Sequence, residues 1–158
     1  MAAAVLLAVS TAQGATIFVD AGNCPGPGDG SVGDPYCSIQ TAIDNAVDTD
    51  EVVVAPGTYF ETIDFLGKAV TLRSTGGPEV TIIDAGGILG AGSVVTCDSG
   101  ERPGSVLQGF TITGGVAVKG GGMYNDGSSP TVIGCVFSNN LADGGCYDAG
   151  FPRRFTSR

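Results

Sequence analysis

Side chains that could transfer protons are few in this sequence and lie far apart along it. The chain has no His and only seven Lys and Arg residues. Arg73 follows Leu72 in an alternating segment and is expected to point outward, where it could take a proton beside the carboxylate of an acidic sugar. That reaction usually also needs Ca²⁺ held by carboxylates, and no Asp cluster recurs at one position along the chain. Isolated, solvated charges are therefore the favoured interpretation of the basic residues.

Asp84 and Asp98 are the carboxylates most compatible with hydrolysis of a sugar chain, which needs two or three such groups on one face. Each directly follows an apolar segment, but each also opens a Gly-containing segment. An Asp side chain in that position stabilises a turn by accepting a hydrogen bond from the nearby backbone. Turn formation is thus favoured over catalysis at both positions.

The sequence predicts no metal site and no cofactor. It lacks His and any Cys-x-x-Cys pair, which are the usual features of a zinc site. Asp29 and Asp34 flank a Gly-containing loop, but their spacing lacks the alternating oxygen ligands of a Ca²⁺-binding loop. Ca²⁺ is expected only under the alternative in which Arg73 acts on an acidic sugar.

Tyr124 and Tyr147 occupy matching places in a repeated motif, residues 121–125 (GGMYN) and 144–148 (GGCYD). Aromatic rings stacked at such positions form either a ladder within a core or a stripe that binds sugar rings. The ladder is the favoured interpretation, and the sugar-binding stripe is the alternative.

A longer unit occurs twice between residues 106 and 140. A shift of 25 residues aligns residues 106–115 (VLQGFTITGG) with residues 131–140 (TVIGCVFSNN). Apolar residues align with apolar residues, and the final Gly pair aligns with Asn139 and Asn140. Gly and Asn most readily adopt the left-handed backbone conformation of a sharp corner. A short strand followed by a corner, repeated at this period, is typical of a solenoid.

The segments between residues 51 and 100 have the same character. Short apolar or alternating stretches at residues 52–54, 61–65, 69–73, 81–83 and 94–97 are typical of strands. Each ends near Gly, Asp or Pro, which are common in turns. Residues 51–148 are therefore predicted to form about five coils of an all-β solenoid, where a coil is one full repeat.

Residues 16–50 are predicted to form the N-terminal end of this solenoid. Residues 16–20 (TIFVD) are typical of a first strand, and residues 21–36 of a Gly- and Pro-rich loop. Ser38 can then cap a helix whose apolar positions follow helical spacing from Ile39 to Val47. We expect this helix to cover the open end of the first coil.

The first fifteen residues predict export from the cell. Residues 2–9 form an eight-residue apolar run, and Ala12 and Gly14 offer small side chains at a cleavage site. The run is too short to span a membrane. The basic start of a typical signal is missing, and a buried N-terminal strand is the alternative. We predict a secreted or cell-surface protein.

The formal net charge of −9 disfavours binding to nucleic acid or to an anionic membrane surface. An extracellular polysaccharide or cell-surface ligand remains compatible with such a surface.

Five cysteines are compatible with one disulfide and further thiols. In an oxidising compartment Cys24 and Cys37 could pair and close the loop between them, which would stabilise the fold by roughly 3 kcal/mol. Cys135 aligns with Phe110 in the repeat and is expected to be buried and inert. The states of Cys97 and Cys146 are left open.

Several of these motifs together resemble one family. Residues 29–59, with the segments SIQTAIDNA and DEVVVAPGTY, resemble the N-terminal cap and first coil of right-handed parallel β-helix proteins of the pectate-lyase-like superfamily. Residues 109–115 and 120–125 resemble their repeat coils. The resemblance covers residues 16–148 and implies the fold and a polysaccharide ligand, but it does not imply a particular reaction. Residues 137–145 also resemble repeats of polymorphic outer-membrane adhesins.

The C-terminal residues 149–158 depart from this pattern, because they lack strand alternation and Gly corners and contain three Arg residues. The resemblance therefore predicts a C-terminally truncated member with an irregular, disordered tail. An uncapped last coil would favour end-to-end self-association.

The favoured function is a non-catalytic module, either a scaffold or a face that binds carbohydrate or a cell surface. The alternatives are a fragment of a polysaccharide lyase or glycoside hydrolase whose catalytic coils are missing, and an adhesin-type repeat. Fold resemblance alone cannot choose between these functions.

Overall fold

The computed structural model describes residues 14–87 and 90–144. These residues form an all-β chain of fourteen short strands with one α-helix. The strands are β1 (Thr16–Val19), β2 (Glu51–Val54), β3 (Gly57–Tyr59), β4 (Ile63–Asp64), β5 (Thr71–Ser74), β6 (Thr81–Asp84), β7 (Val95–Cys97), β8 (Val106–Gln108), β9 (Thr111–Thr113), β10 (Val116–Ala117), β11 (Met123–Asn125), β12 (Thr131–Ile133), β13 (Val136–Phe137) and β14 (Leu141–Ala142). The helix is α1 (Ile39–Asn45).

All strand pairs within these residues are parallel, and the strands form four sheets. The five-stranded sheet has the order β1-β2-β5-β8-β12, and the four-stranded sheet has the order β13-β9-β6-β3. The three-stranded sheet has the order β11-β7-β4, and β10 pairs with β14. From β2 to β7 the chain enters the five-, four- and three-stranded sheets in that order, twice in succession. Each strand therefore lies beside the equivalent strand of the next repeat.

The register of the last repeat confirms the alignment at 25 residues. Val132 lies opposite Leu107, and Phe137 lies opposite Ile112. The predicted corner at Asn139 is also confirmed, because Asn139 has a φ of 53° where the preceding repeat has Gly114 at 73°. Sequence similarity between the two segments thus reports a true structural equivalence.

Earlier repeats are less regular than the alignment suggested. Thr71 lies opposite Glu51, but its other neighbour, Val106, is much further along the chain. The predicted strand at residues 61–65 is reduced to Ile63–Asp64. The repeats differ in length because the connections between strands differ in length, and the strands remain paired in parallel.

The core consists of apolar side chains that alternate along the strands and stack at equivalent positions of successive repeats. Val52, Leu72 and Leu107 are adjacent in the five-stranded sheet and have no exposed surface. Ile83 and Ile112 form the equivalent buried pair in the four-stranded sheet. Burial of apolar surface along these columns is the main stabilising contribution to the stacking.

Helix α1 packs against β1, β2 and β4. The Ser38 hydroxyl accepts a hydrogen bond from the Thr41 amide, as expected of an N-cap. Ile39 and Ile43 are fully buried, but Val47 is 65% exposed. The inclusion of Val47 in the apolar face was wrong, because the helix ends at Asn45 and the chain then turns to an extended conformation.

No helix among residues 14–87 and 90–144 is long and apolar enough to cross a membrane. The predicted signal cleavage motif lies largely outside the described residues, as do Cys146, Tyr147 and the C-terminal tail.

Candidate functional site

The outer face of the five-stranded sheet has a shallow groove of about 170 Å³ beside the N-terminal loop. Apolar groups supply most of its lining, and Asp20 and Thr75 add polar side chains. The lining residues are Phe18, Val19, Asp20, Val32, Pro35, Val53, Ala55 and Thr75. An apolar surface with a few polar groups is the usual composition of a small-ligand site, although the volume of this groove is smaller than the roughly 300–1,000 Å³ typical of such sites.

Strand alternation and register explain the floor of the groove. Val19 and Val54 point into the core and are 1% and 0% exposed, so their neighbours Phe18 and Val53 face away from the core. Val53 is nevertheless only 6% exposed. Phe18 lies opposite Val53, and Val53 lies opposite Arg73 in the next strand. The groove floor thus continues from an aromatic ring to a cation along one row of the sheet.

The loop between β1 and α1 forms the wall of the groove. Its backbone is fixed along β1, because the Phe18 amide donates to Gly30 O and the Tyr36 amide donates to Phe18 O, both at 2.9 Å. The predicted disulfide between Cys24 and Cys37 is present, with a Cα–Cα distance of 5.1 Å. The loop backbone is therefore held beside β1, with Pro35 and the 78% exposed Val32 lining the groove. Disulfides of this kind are typical of oxidising compartments.

Arg73, the predicted candidate base, is engaged by Glu51. Its Nε lies 2.5 Å from Glu51 Oε1 and its Nη2 lies 3.3 Å from Oε2. Both side chains are about one-third exposed. The hydrogen bond to Glu51 raises the pKa of Arg73, so the guanidinium remains protonated. It is suited to a hydrogen-bonding role and poorly suited to removing a proton.

Asp84 and Asp98 belong to other parts of the molecule. Asp84 ends β6 of the four-stranded sheet, and its Oδ1 accepts a hydrogen bond of 2.8 Å from the Gly86 amide. Asp98 follows β7 of the three-stranded sheet and accepts a hydrogen bond of 3.3 Å from the Ser99 hydroxyl. The turn role predicted for Asp84 matches this geometry. Arg73, Asp84 and Asp98 are associated with three different sheets.

The acidic side chains of the described chain do not form a metal centre. Within residues 14–87 and 90–144, no group of three or more His, Cys, Asp or Glu side chains is arranged to hold a metal ion. Asp29 instead accepts a hydrogen bond of 2.8 Å from the Ser31 amide, and Asp34 accepts one of 3.0 Å from the Asn23 side chain. Both residues therefore stabilise the loop.

Tyr124 lies on the outer side of the three-stranded sheet. It is opposite Thr96, and it alternates with Met123, which packs against the core. The Tyr124 hydroxyl donates a hydrogen bond of 3.1 Å to Asp126, and this bond raises the pKa of Tyr124. The core-ladder interpretation was therefore wrong for Tyr124. Its predicted partner Tyr147 lies outside the described residues.

Two free cysteines are present among the described residues, Cys97 and Cys135. Burial, together with nearby carboxylates, raises the pKa of Cys97 to about 12. Burial also raises the pKa of Cys135, although this residue is only half-buried instead of fully buried as expected. Both therefore remain protonated and weakly nucleophilic at neutral pH.

Sequence reasoning missed Glu101, which is only 2% exposed. Its Oε1 accepts from the Gly67 amide at 2.8 Å, and its Oε2 accepts from the Ser99 amide at 3.0 Å and the Ser128 hydroxyl at 2.6 Å. Burial alone would raise the pKa of Glu101, but these hydrogen bonds outweigh it and lower the pKa below 4.5. Glu101 therefore joins three segments of the chain that are distant in sequence.

Comparison with known proteins finds no match among family models, curated proteins or solved structures.

Proposed function

We propose that this chain is a secreted right-handed parallel β-helix whose outer face binds carbohydrate without transforming it. The observation that supports this proposal most is the groove, where the outward-facing Phe18 ring lies in the same row of the five-stranded sheet as Arg73, which Glu51 holds in an ion pair. The repeated order of the parallel sheets supports the β-helix. Parallel crossover connections are right-handed in nearly all proteins.

The composition of the groove suits a sugar ring. Saccharides have apolar C–H faces that pack on aromatic and aliphatic side chains, such as Phe18 and Pro35. Their hydroxyl groups need hydrogen-bonding partners at the edge, which Asp20 and Thr75 can supply. Arg73 continues the row of Phe18 and Val53 beyond the groove, and its ion-pair partner Glu51 lies two residues before Val53 on β2.

Charge favours a neutral sugar over an acidic one. Asp20 lines the groove, and the positive charge of Arg73 is balanced by Glu51 at hydrogen-bonding distance. The whole chain has a net charge of −9. A polyuronate would be repelled by this surface, whereas a neutral glycan would not.

Two of the candidate catalytic side chains, Arg73 and Asp84, already form hydrogen bonds within the protein, which supports a binding role over a catalytic one. Arg73 is held by Glu51, and Asp84 is held in a turn by the Gly86 amide. A lyase base must reach its substrate proton, and a hydrolase needs two carboxylates across one bond. The candidates lie on different sheets, which is unfavourable for either reaction.

Calorimetric titration with neutral and acidic oligosaccharides tests this function. We expect saturable binding of a neutral glycan and binding about tenfold weaker in Phe18→Ala, a loss of about 1.4 kcal/mol. Phe60→Ala is the matched control, because Phe60 is 78% exposed and does not line the groove; it should bind like the wild type.

Product analysis in the same samples separates binding from catalysis. The proposal predicts an unchanged glycan after prolonged incubation. Accumulation of an unsaturated uronide that requires Ca²⁺ and is lost in Arg73→Ala would instead establish the lyase alternative. Equal affinity of Phe18→Ala and wild type would reject the groove as the binding site.

A further inference from the structure

The backbone amide of Ala15 donates a hydrogen bond to a buried carboxylate. Ala15 N lies 2.7 Å from Asp50 Oδ1, and the Val47 amide donates to Asp50 Oδ2 at 2.9 Å. Asp50 is only 5% exposed. A buried carboxylate is therefore directed at the backbone nitrogen that precedes the first strand.

Among the described residues, no cationic side chain forms an ion pair with Asp50. The described residues contain one ion pair, between Arg73 and Glu51, and the two groups that donate hydrogen bonds to the Asp50 side chain are backbone amides. Carboxylates removed from water are usually paired with a cation as well as hydrogen-bonded. A positive charge on the Ala15 nitrogen would complete this arrangement.

The chain is tightly confined just before Ala15. The Ala15 carbonyl accepts a hydrogen bond of 2.9 Å from the Glu51 amide, which fixes Ala15 at the start of the sheet. A side chain on Gly14 would overlap the Thr49 carbonyl group. The position before Ala15 must therefore be a glycine or be empty.

The sequence motif for signal cleavage ends at this same point. Ala12 and Gly14 have the small side chains that a signal peptidase accepts, and cleavage after such a motif would release Ala15 as the first residue. Two independent observations, the motif and the buried carboxylate, thus converge on one peptide bond.

We propose that the Gly14–Ala15 bond is hydrolysed during export and that the new α-ammonium group of Ala15 forms an ion pair with Asp50. The oxygen of water bonds to the Gly14 carbonyl carbon and the C–N bond breaks. Gly14 leaves as a carboxylate, and the Ala15 nitrogen takes up protons to become an ammonium group. This inference rests on the secretion included in the proposed function.

The ion pair makes stability depend on pH in a defined direction. An α-amino group ordinarily has a pKa of about 7.7–8.0, and a neighbouring carboxylate raises it. The stabilisation is therefore complete below a pH of about 7.7 and is lost as the pH rises through the raised value.

The processing step is tested by expressing residues 1–158 with their own leader in a secreting host. N-terminal sequencing and intact mass of the exported protein should both identify Ala15 as the first residue. A different first residue, or a retained leader, overturns the proposed cleavage. Absence of the protein from the medium and the cell surface contradicts secretion itself, and the cleavage falls with it.

The ion pair is tested separately with chains released from a fusion partner so that they begin at Ala15 or at Gly14. The chain beginning at Ala15 should have the higher denaturation midpoint at pH 6, and the difference should shrink above pH 10. Asp50→Asn should abolish the difference between the two chains. Equal midpoints of the two wild-type chains across the pH range would overturn the ion pair, even if Asp50→Asn does not fold.

Discussion

At the level of single residues, the buried carboxylate of Glu101 links distant parts of the chain. Glu101 accepts hydrogen bonds from three segments of the chain, contributed by Gly67, Ser99 and Ser128. Each of these three residues lies where the chain passes from the three-stranded to the five-stranded sheet, in three successive repeats. Glu101 thus fixes the spacing of successive repeats at this connection.

We predict that Glu101→Gln lowers the free energy of unfolding by about 1.5–3 kcal/mol at pH 7, the range for hydrogen bonds to charged groups. Gln has a single acceptor oxygen, and its NH₂ group would face donors. Urea denaturation measures the loss. Glu79→Gln, at an exposed position, is the control and should change stability by less than about 0.5 kcal/mol.

The same substitution has a pH signature. Because the pKa of Glu101 is lowered in the folded state, its contribution is present above its ordinary pKa of 4.5 and is lost as the pH falls through the lowered value. The difference in stability between wild type and Glu101→Gln should therefore shrink below pH 4.5. A difference that is constant down to pH 2 would contradict this role.

The sequence allowed the turn role of Asp84 to be predicted, since Asp followed by Gly after a strand has a local physical meaning. It did not allow Glu101 or Asp50 to be identified. Their partners come from distant segments, such as Gly67 and Ala15. No local pattern distinguishes a buried carboxylate of this kind from a solvated one.

At the level of elements, α1 covers the first repeat. Glu61, from the segment between β3 and β4, accepts hydrogen bonds from the Ile39 and Gln40 amides at 2.8 and 3.0 Å. It therefore satisfies free amides at the start of the helix. The helix is thus joined to the sheets both by its apolar face and by its N-terminus.

We predict that Ile43→Ala destabilises the protein by about 2–5 kcal/mol, the range for removing a large buried aliphatic side chain. Thermal or urea denaturation measures the change. Val47→Ala provides the comparison, because Val47 lies just beyond the end of α1 and is 65% exposed. Equal effects of the two substitutions would show that α1 does not cover the core.

Element positions were predictable where repeats resemble each other. The 25-residue alignment gave the register of β12 on β8 and of β13 on β9. The end of α1 was not predictable from spacing, because Val47 continues the apolar pattern after the backbone has left the helix. Tertiary contacts, and not periodicity, decide where such a short helix ends.

At the level of the whole molecule, the two ends of the described sheets differ. The α1 end is covered, whereas apolar side chains near the other end are partly exposed. Among residues 14–87 and 90–144, β12 and β13 each pair with one strand only. Their exposed apolar residues, each 42–47% accessible, are Val132, Ile133, Val136 and Phe137.

We expect these open strand edges to favour end-to-end self-association of the chain. Sedimentation velocity over a range of concentrations should reveal a dimer, and added salt should increase it by screening the net charge of −9. Phe137→Lys should shift the population to monomer, whereas Phe60→Lys should not. A monomer at every concentration and salt level would contradict this expectation.

The fold class followed from the sequence because repeats, corners and strand patterns agree with one another. The groove did not follow from it. Phe18, Val32 and Val53 are separated in sequence and meet only through the parallel register and the disulfide-closed loop. The sequence directed attention to Asp84, Asp98 and Tyr124, which lie on other sheets.

Titration of the nitrogen-15-labelled protein with a neutral oligosaccharide, followed by amide chemical shifts, would locate a ligand on the molecule. The proposed function predicts saturable shift changes at Phe18, Val53 and Thr75, with the amides around Tyr124 unchanged. Shift changes confined to the Tyr124 face, or no changes at saturating glycan, would contradict carbohydrate binding in the groove.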